Sequence, residues 1–147
     1  MAYFDDMTPC TYFNRWQDRL VAIGWLEPGK NYQKGDVKEE FFSILVKMLI
    51  RPWQPFAAAG HEPCGFCRFS HGQAKLRYMD TEISLGGTNL FVPDSGRVFV
   101  APSMVAHYID SHDYQPPLEF QAAVLRLGNT TSIEYLRILK ESGIKNE

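Results

Sequence analysis

The feature that most constrains this chain is a pair of cysteines three positions apart, Cys64 and Cys67, in "HEPCGFC". A C-x2-C spacing lets two thiolates hold one zinc ion from a tight turn whose backbone amides point at the sulfurs. Gly65 suits such a turn because it has no Cβ. Zinc needs further ligands, and ligands from a distant segment would staple two parts of the chain together. We therefore predict a structural zinc site.

Three of the four histidines compete for the remaining ligand positions. His107 and His112 form H-x4-H, within the H-x3–5-H range that accompanies C-x2-C in Cys2His2 sites. On an ideal helix, however, residues five apart point ~140° away from each other. Both therefore reach one ion only if the helix tightens or ends between them. His61 needs little loop closure because it lies close to Cys64. We rank His107 third, with His112 and His61 level for the fourth place.

Other chemistries fit the cysteine pair less well. The C-G-x-C of thioredoxin-like enzymes follows a hydrophobic strand and opens an apolar helix, whereas "AAAGHEP" precedes this pair and "RFSHGQAK" follows it. Zinc deaminases carry P-C-x-x-C after an H-x-E on an earlier helix, and no histidine precedes His61. Two unligated thiols are the simplest alternative. No spacing defines a Ser–His–Asp or Cys–His set, so we assign no catalytic or cofactor-binding residue.

Length and charge limit the classes of function. A chain of 147 residues with 45% hydrophobic content predicts a single domain spanning residues 1–147. A net charge of −2 argues against nucleic acid or an anionic membrane as a partner. The first residues lack the basic and apolar regions of a signal peptide, and three cysteines indicate a reducing compartment. We expect a cytoplasmic protein without a membrane span.

Periodicity predicts an α+β fold: a small antiparallel sheet, roughly four helices and a loop-rich, aromatic N-terminal third. A short strand is expected over 21–26, and "EISLGGTNLFVPDSGRVFVAP" predicts strands around a turn at Asp94-Ser95-Gly96. The four helices are expected over 36–50, 103–112, 118–127 and 132–142.

End signals accompany each of these helices. Asp36, with Glu39 three residues on, is the expected N-cap of the first helix. Pro102 suits the first position of the second helix. Gly128 is expected to close the third helix. Thr131 is expected to cap the fourth, with Glu134 in capping-box spacing.

Several segments together resemble a family of small bacterial cytosolic proteins defined by a domain of unknown function. They are "YFDDMTPCTYF", "AIGWLEPG", "VKEEFF", "HEPCGFC" and "VFVAPSMVAHYIDSHDYQPPLEFQAAV", within residues 3–124, so the last helix lies outside the resemblance. The family pattern has one residue between its histidine and C-x2-C, whereas His61 has two. The positions in register are Cys64, Cys67, His107 and His112. The resemblance implies a metal-binding fold and carries no activity.

These observations predict a cytosolic protein-interaction or regulatory domain with a structural zinc. An unidentified protein would then be its partner. The first alternative is a metal-dependent enzyme, hydrolase-like or deaminase-like, whose Cys2His zinc keeps an open water position. The second is a thiol–disulfide redox protein that uses the C-x2-C pair.

Overall fold

A computed structural model of the chain describes residues 3–13, 16, 18–55, 64–67 and 75–144. These residues form an α+β fold with four helices, which confirms the predicted fold class. In chain order the elements are β1 (Leu20–Ala22), α1 (Glu39–Ile50), β2 (Lys75–Tyr78), β3 (Thr81–Ser84), β4 (Asn89–Asp94), β5 (Arg97–Pro102), α2 (Val105–His112), α3 (Leu118–Leu127) and α4 (Ile133–Glu141).

A three-stranded sheet in the order β1-β5-β4 lies at the centre of the fold. β4 and β5 form the predicted antiparallel hairpin, with Asp94 opposite Arg97 beside the turn. β1 runs parallel to β5, so this sheet is mixed rather than wholly antiparallel. β1 is also shorter than the strand expected over 21–26, because Gly24 turns the chain with a φ of 74°. A Cβ at Gly24 would lie 2.8 Å from a Val105 methyl carbon, so glycine is required there by space as well.

A second, two-stranded sheet pairs β2 with β3 in antiparallel register. The sequence did not predict β2, because a strand is recognised by alternating apolar and polar residues. β2 has only one fully apolar residue, Leu76, which is buried. The two strands meet at a two-residue turn, where Met79 takes a φ of 54°. This hairpin follows the cysteine segment in the chain.

α1 begins later than its capping signal predicted. Its N-cap is Lys38, which has no side-chain capping bond, and the first helical residue is Glu39. Two hydrogen bonds hold the preceding residues to the chain beyond α2: Gln115 Nε2 donates to the Asp36 carbonyl at 2.8 Å, and the Gly35 amide donates to the Asp113 carbonyl at 3.0 Å. Asp36 is thereby kept outside the helix, so its assignment as the N-cap is wrong.

Two other helix starts also differ from the prediction, while α3 begins and ends where it was expected. Pro102 is the last residue of β5, not the first of a helix, since it pairs with Asn89 across the sheet. α4 is capped by Ser132, whose hydroxyl accepts the Tyr135 amide at 3.0 Å. Thr131 instead donates its hydroxyl to the side chain of Asn129. The capping box expected from Thr131 is therefore wrong by one residue.

α2 packs into the same core as the central sheet and the helices α1 and α3. Phe120 of α3 makes edge contacts with Phe41 of α1 and Phe99 of β5. Val105 and Tyr108 of α2 are fully buried in the same core. Because α2 follows β5 after two residues, its position is set by the central strand. Within the described ranges, no helix combines the length and apolar character that crossing a membrane requires.

Candidate metal centre

Four predicted ligands lie together in the fold: Cys64, Cys67, His107 and His112. One possible ligand atom from each lies within 4.8 Å of those of all the others. The Cys67 sulfur is 3.1 Å from Nε2 of His107 and 3.5 Å from Nε2 of His112. The Cys64 sulfur is also 3.5 Å from Nε2 of His112. In a zinc tetrahedron, bonds of about 2.3 Å to sulfur and 2.0–2.1 Å to nitrogen place the two atom types roughly 3.6 Å apart. The four residues are positioned to bind a metal ion.

The cysteines are presented by a tight turn over residues 64–67. The Cys67 amide donates to the Cys64 carbonyl at 3.4 Å. The backbone amides of Phe66 and Cys67 also act to lower the pKa of the Cys64 thiol, as expected of a metal-binding turn whose amides favour the thiolate. Gly65 serves here through its size, because a Cβ would come within 3.0 Å of the Pro28 ring.

The last turn of α2 explains how two histidines five residues apart face the same point. The amides of both Asp113 and Tyr114 donate to the Tyr108 carbonyl, five and six residues back. A hydrogen bond spanning five residues widens the turn, so that positions five apart are separated by about one full turn. The imidazole rings of His107 and His112 consequently meet with their centroids 5.1 Å apart. Asp113 then ends the helix with a left-handed φ of 57°.

Two aromatic residues that sequence reasoning did not assign hold His112 in place. Phe66, between the cysteines, lies against the His112 ring with a centroid separation of 5.2 Å. Tyr32 contacts Phe66 edge-on and donates its hydroxyl to the His112 carbonyl at 2.8 Å. The aromatic residue inside the C-x2-C is the one sequence signal that could have indicated this packing. Ring packing and a hydrogen bond to its backbone carbonyl thus position His112 for the cluster.

The electrostatic environment favours the neutral form of His107. Burial lowers the pKa of His107, the charge of His112 acts in the same direction, and Asp110 opposes them. Burial raises the pKa of the Cys64 thiol, against the effect of the two backbone amides. A metal ion must therefore displace the proton from the Cys64 thiol, as Zn²⁺ does, while the imidazole of His107 is ready to bind. Zn²⁺ with two thiolates and two neutral imidazoles has no net charge, which suits a partly buried site.

One cysteine and one predicted histidine ligand remain to be placed. His61, the fifth predicted ligand, lies outside the described residues, and its candidacy stays a prediction. Cys10 is fully buried away from the cluster, and burial raises the pKa of its thiol to about 11. It is a core residue rather than a ligand.

Comparison with protein-family models gives a match. A family model described as a domain of unknown function, DUF7919, matches residues 2–125. That stretch contains the whole Cys/His cluster and ends before α4. Neither a search of curated proteins nor a search of solved structures finds a match.

Proposed function

We propose that this chain, which belongs to the DUF7919 family of domains of unknown function, is a protein-interaction or regulatory domain held together by a structural zinc. The ligands are Cys64, Cys67, His107 and His112. The observation that carries the proposal is the mutual approach of all four ligand atoms to within 4.8 Å. Two sulfurs and two imidazole nitrogens form a donor set typical of structural zinc sites.

The number of ligands distinguishes this proposal from a zinc enzyme. Catalytic zinc sites have three protein ligands and leave the fourth position to water or substrate. Here a second histidine, His112, has its Nε2 3.5 Å from both sulfurs, and it would take the fourth ligand position. The closed donor set therefore favours a structural role for the ion.

The zinc would connect segments that are far apart in the chain. Cys64 and His112 are separated by 48 positions, and the β2–β3 hairpin and the central β4–β5 hairpin lie between them. Holding these ends together restricts the unfolded chain and makes the free energy of metal binding part of the folding free energy. A domain stabilised in this way can present its surface to a protein partner in the cytoplasm.

Metal analysis combined with thiol titration tests the proposal. We expect one zinc per chain, with Cys64 and Cys67 unreactive toward a thiol reagent until a chelator is added. Cys67→Ser and His107→Ala should each lower zinc retention, whereas the core variant Cys10→Ala should retain one zinc. Metal-free protein that forms a reversible Cys64–Cys67 disulfide would support the redox alternative instead. Full zinc retention by Cys67→Ser and His107→Ala would exclude the proposed ligand set.

A further inference from the structure

A groove beside the metal centre has an unusual lining. It lies between the start of α1 and the end of α2 and encloses a cavity of about 460 Å³. Its apolar lining is provided by Val37, Phe42 and Ile109. Phe42 is buried and the other two are half-buried. A surface groove that leaves Val37 and Ile109 partly accessible above the buried Phe42 offers contact area to an apolar group.

Four carboxylates line the same groove. They are Asp36 and Glu39 from the α1 side and Asp110 and Asp113 from the α2 side, and all four residues are exposed. No lysine or arginine belongs to the lining. Elsewhere in the described ranges, six other carboxylates form ion pairs with lysine or arginine, whereas none of these four does. The groove is therefore a concentrated negative surface that no lysine or arginine among the described residues neutralises, although Glu39 also accepts a hydrogen bond from the Tyr78 hydroxyl.

The groove and the proposed zinc site share a structural element. Asp110 and Asp113 lie in and directly after the last turn of α2, the turn that also carries His112. The opposite wall is joined to this turn by the hydrogen bond from the Gly35 amide to the Asp113 carbonyl. Whatever fixes the end of α2 thus fixes the spacing of the two acidic walls.

We propose that this groove binds a short segment of a protein partner in which lysine or arginine side chains accompany a large apolar side chain. The carboxylates would pair with the cations, and Val37, Phe42 and Ile109 would contact the apolar group. Charge complementarity selects the basic segment, and the apolar lining distinguishes it from a simple cation. This inference deepens the proposed function and rests on it, since it assumes a domain that acts by binding a protein.

Fluorescence anisotropy with a labelled peptide tests the inference. The probe is a short peptide in which lysine alternates with leucine. Two matched peptides carry glutamate in place of lysine, or serine in place of leucine. We expect binding of the first peptide that weakens as salt is added, and at least about tenfold weaker binding of both controls. Equal binding of the serine peptide, or equally effective competition by spermine, would overturn the inference in favour of a site for simple cations.

Charge-neutralising variants locate the binding site. Asp36→Asn with Asp110→Asn should weaken binding about fivefold or more, since each removes one carboxylate from the groove. The control, Glu27→Gln with Asp80→Asn, changes the net charge equally at exposed residues that form no ion pair in the described part of the chain. It should alter binding less than twofold. Equal weakening by both double variants would overturn the assignment to this groove.

Zinc content measured on the same samples separates the two proposals. Zinc-loaded protein that does not bind the lysine–leucine peptide would overturn the inference about the groove and leave the structural zinc in place. Protein that lacks zinc yet binds the peptide in a manner dependent on Asp36 and Asp110 would support the groove and overturn the zinc proposal.

Discussion

At the residue scale, the two histidines of the candidate metal centre differ in what holds them. His107 lies within α2, where the helix backbone fixes it. His112 is the last helical residue, and it is held by the Phe66 ring and by the hydrogen bond from Tyr32 to its carbonyl. The orientation of His112 therefore depends on side chains from other parts of the chain.

Removing the Tyr32 hydroxyl tests whether its hydrogen bond to the His112 carbonyl stabilises the fold. Tyr32→Phe keeps the ring contact with Phe66 and deletes the hydrogen bond to the His112 carbonyl. We expect the free energy of unfolding to fall by about 0.5–1.5 kcal/mol, the usual net value of such a bond. Chemical denaturation measures the change, with Tyr12→Phe at a half-exposed tyrosine as the control. Equal stabilities of the two variants would show that the Tyr32 hydroxyl gives no support.

Asp6 is a partly buried carboxylate whose surroundings shift its pKa. Its carboxylate accepts hydrogen bonds from the Gly24 amide at 2.9 Å and from the Tyr114 hydroxyl at 2.6 Å. Burial nevertheless raises the pKa of Asp6 above its usual value, because the two hydrogen bonds only partly offset desolvation of the charge, and Asp5 adds repulsion.

The direction of this pKa shift determines how the stability of the folded protein changes with pH. A raised pKa in the folded state means that the folded protein binds the proton more tightly than the unfolded chain does. The resulting stabilisation is fully present below the unfolded pKa of about 3.9 and is lost as the pH rises through the folded pKa. Relative to Asp6→Asn, the native protein should therefore become more stable as the pH falls from neutrality. Denaturation of both proteins across this range measures the difference, and a constant difference would contradict the shift.

At the element scale, the start of α4 shows that two candidate N-cap residues can be adjacent in the sequence. Thr131 and Ser132 are adjacent, and both precede an apolar helical pattern. In the structure Ser132 accepts the Tyr135 amide, while Thr131 bonds to Asn129. Thr131 is engaged by the Asn129 side chain, and Ser132 is the N-cap. The capping-box spacing alone does not take the Asn129 side chain into account.

Alanine substitutions at these neighbours test the assignment. Ser132→Ala should lower the free energy of unfolding by about 1 kcal/mol, because it removes a helix N-cap. Thr131→Ala, the matched control, should cost less than about 0.5 kcal/mol at its exposed position. Thermal denaturation measures both losses of stability. A larger loss for Thr131→Ala than for Ser132→Ala would show that Thr131, not Ser132, caps the helix. Neither variant should alter zinc content, because α4 makes no contribution to the metal centre.

The elements that sequence predicted well are those with strong local signals. α3 has an apolar face and a terminal glycine, and the β4–β5 hairpin has alternation and a turn, so both were expected at or near their observed bounds. β2 was missed because its residues are mostly polar, and the parallel pairing of β1 with β5 depends on contacts between distant segments. Propensity cannot supply such long-range pairing.

The metal centre was predictable in composition but not in geometry. The two spacings, C-x2-C and H-x4-H, identified Cys64, Cys67, His107 and His112 as candidates that the fold then brings together. An ideal helix would have separated the two histidines, and the widened last turn of α2 removes that difficulty. The contributions of Phe66 and Tyr32 could not be inferred, because they arise from packing between separate segments.

At the scale of the whole molecule, the proposed zinc joins the segment before the β2–β3 hairpin to the helix that follows the central sheet. Zinc at roughly 1,000 times its dissociation constant would stabilise the folded state by about 4 kcal/mol. For a chain of this size, that corresponds to about 8–16 °C in Tm.

Chelation should therefore lower the Tm by about that amount, and zinc should restore it. The control is Cys64→Ser with Cys67→Ser, whose Tm should not respond to the chelator because the sulfur ligands are gone. Differential scanning calorimetry measures both proteins. Equal responses of the two would place the chelator-sensitive metal at another site.

X-ray absorption spectroscopy of the zinc-loaded protein tests the central claim most directly, because it counts the ligands around the ion. We expect two sulfur neighbours at about 2.3 Å and two imidazole nitrogens at about 2.0–2.1 Å. One sulfur, or an oxygen from water in place of an imidazole, would contradict a closed site formed by Cys64, Cys67, His107 and His112.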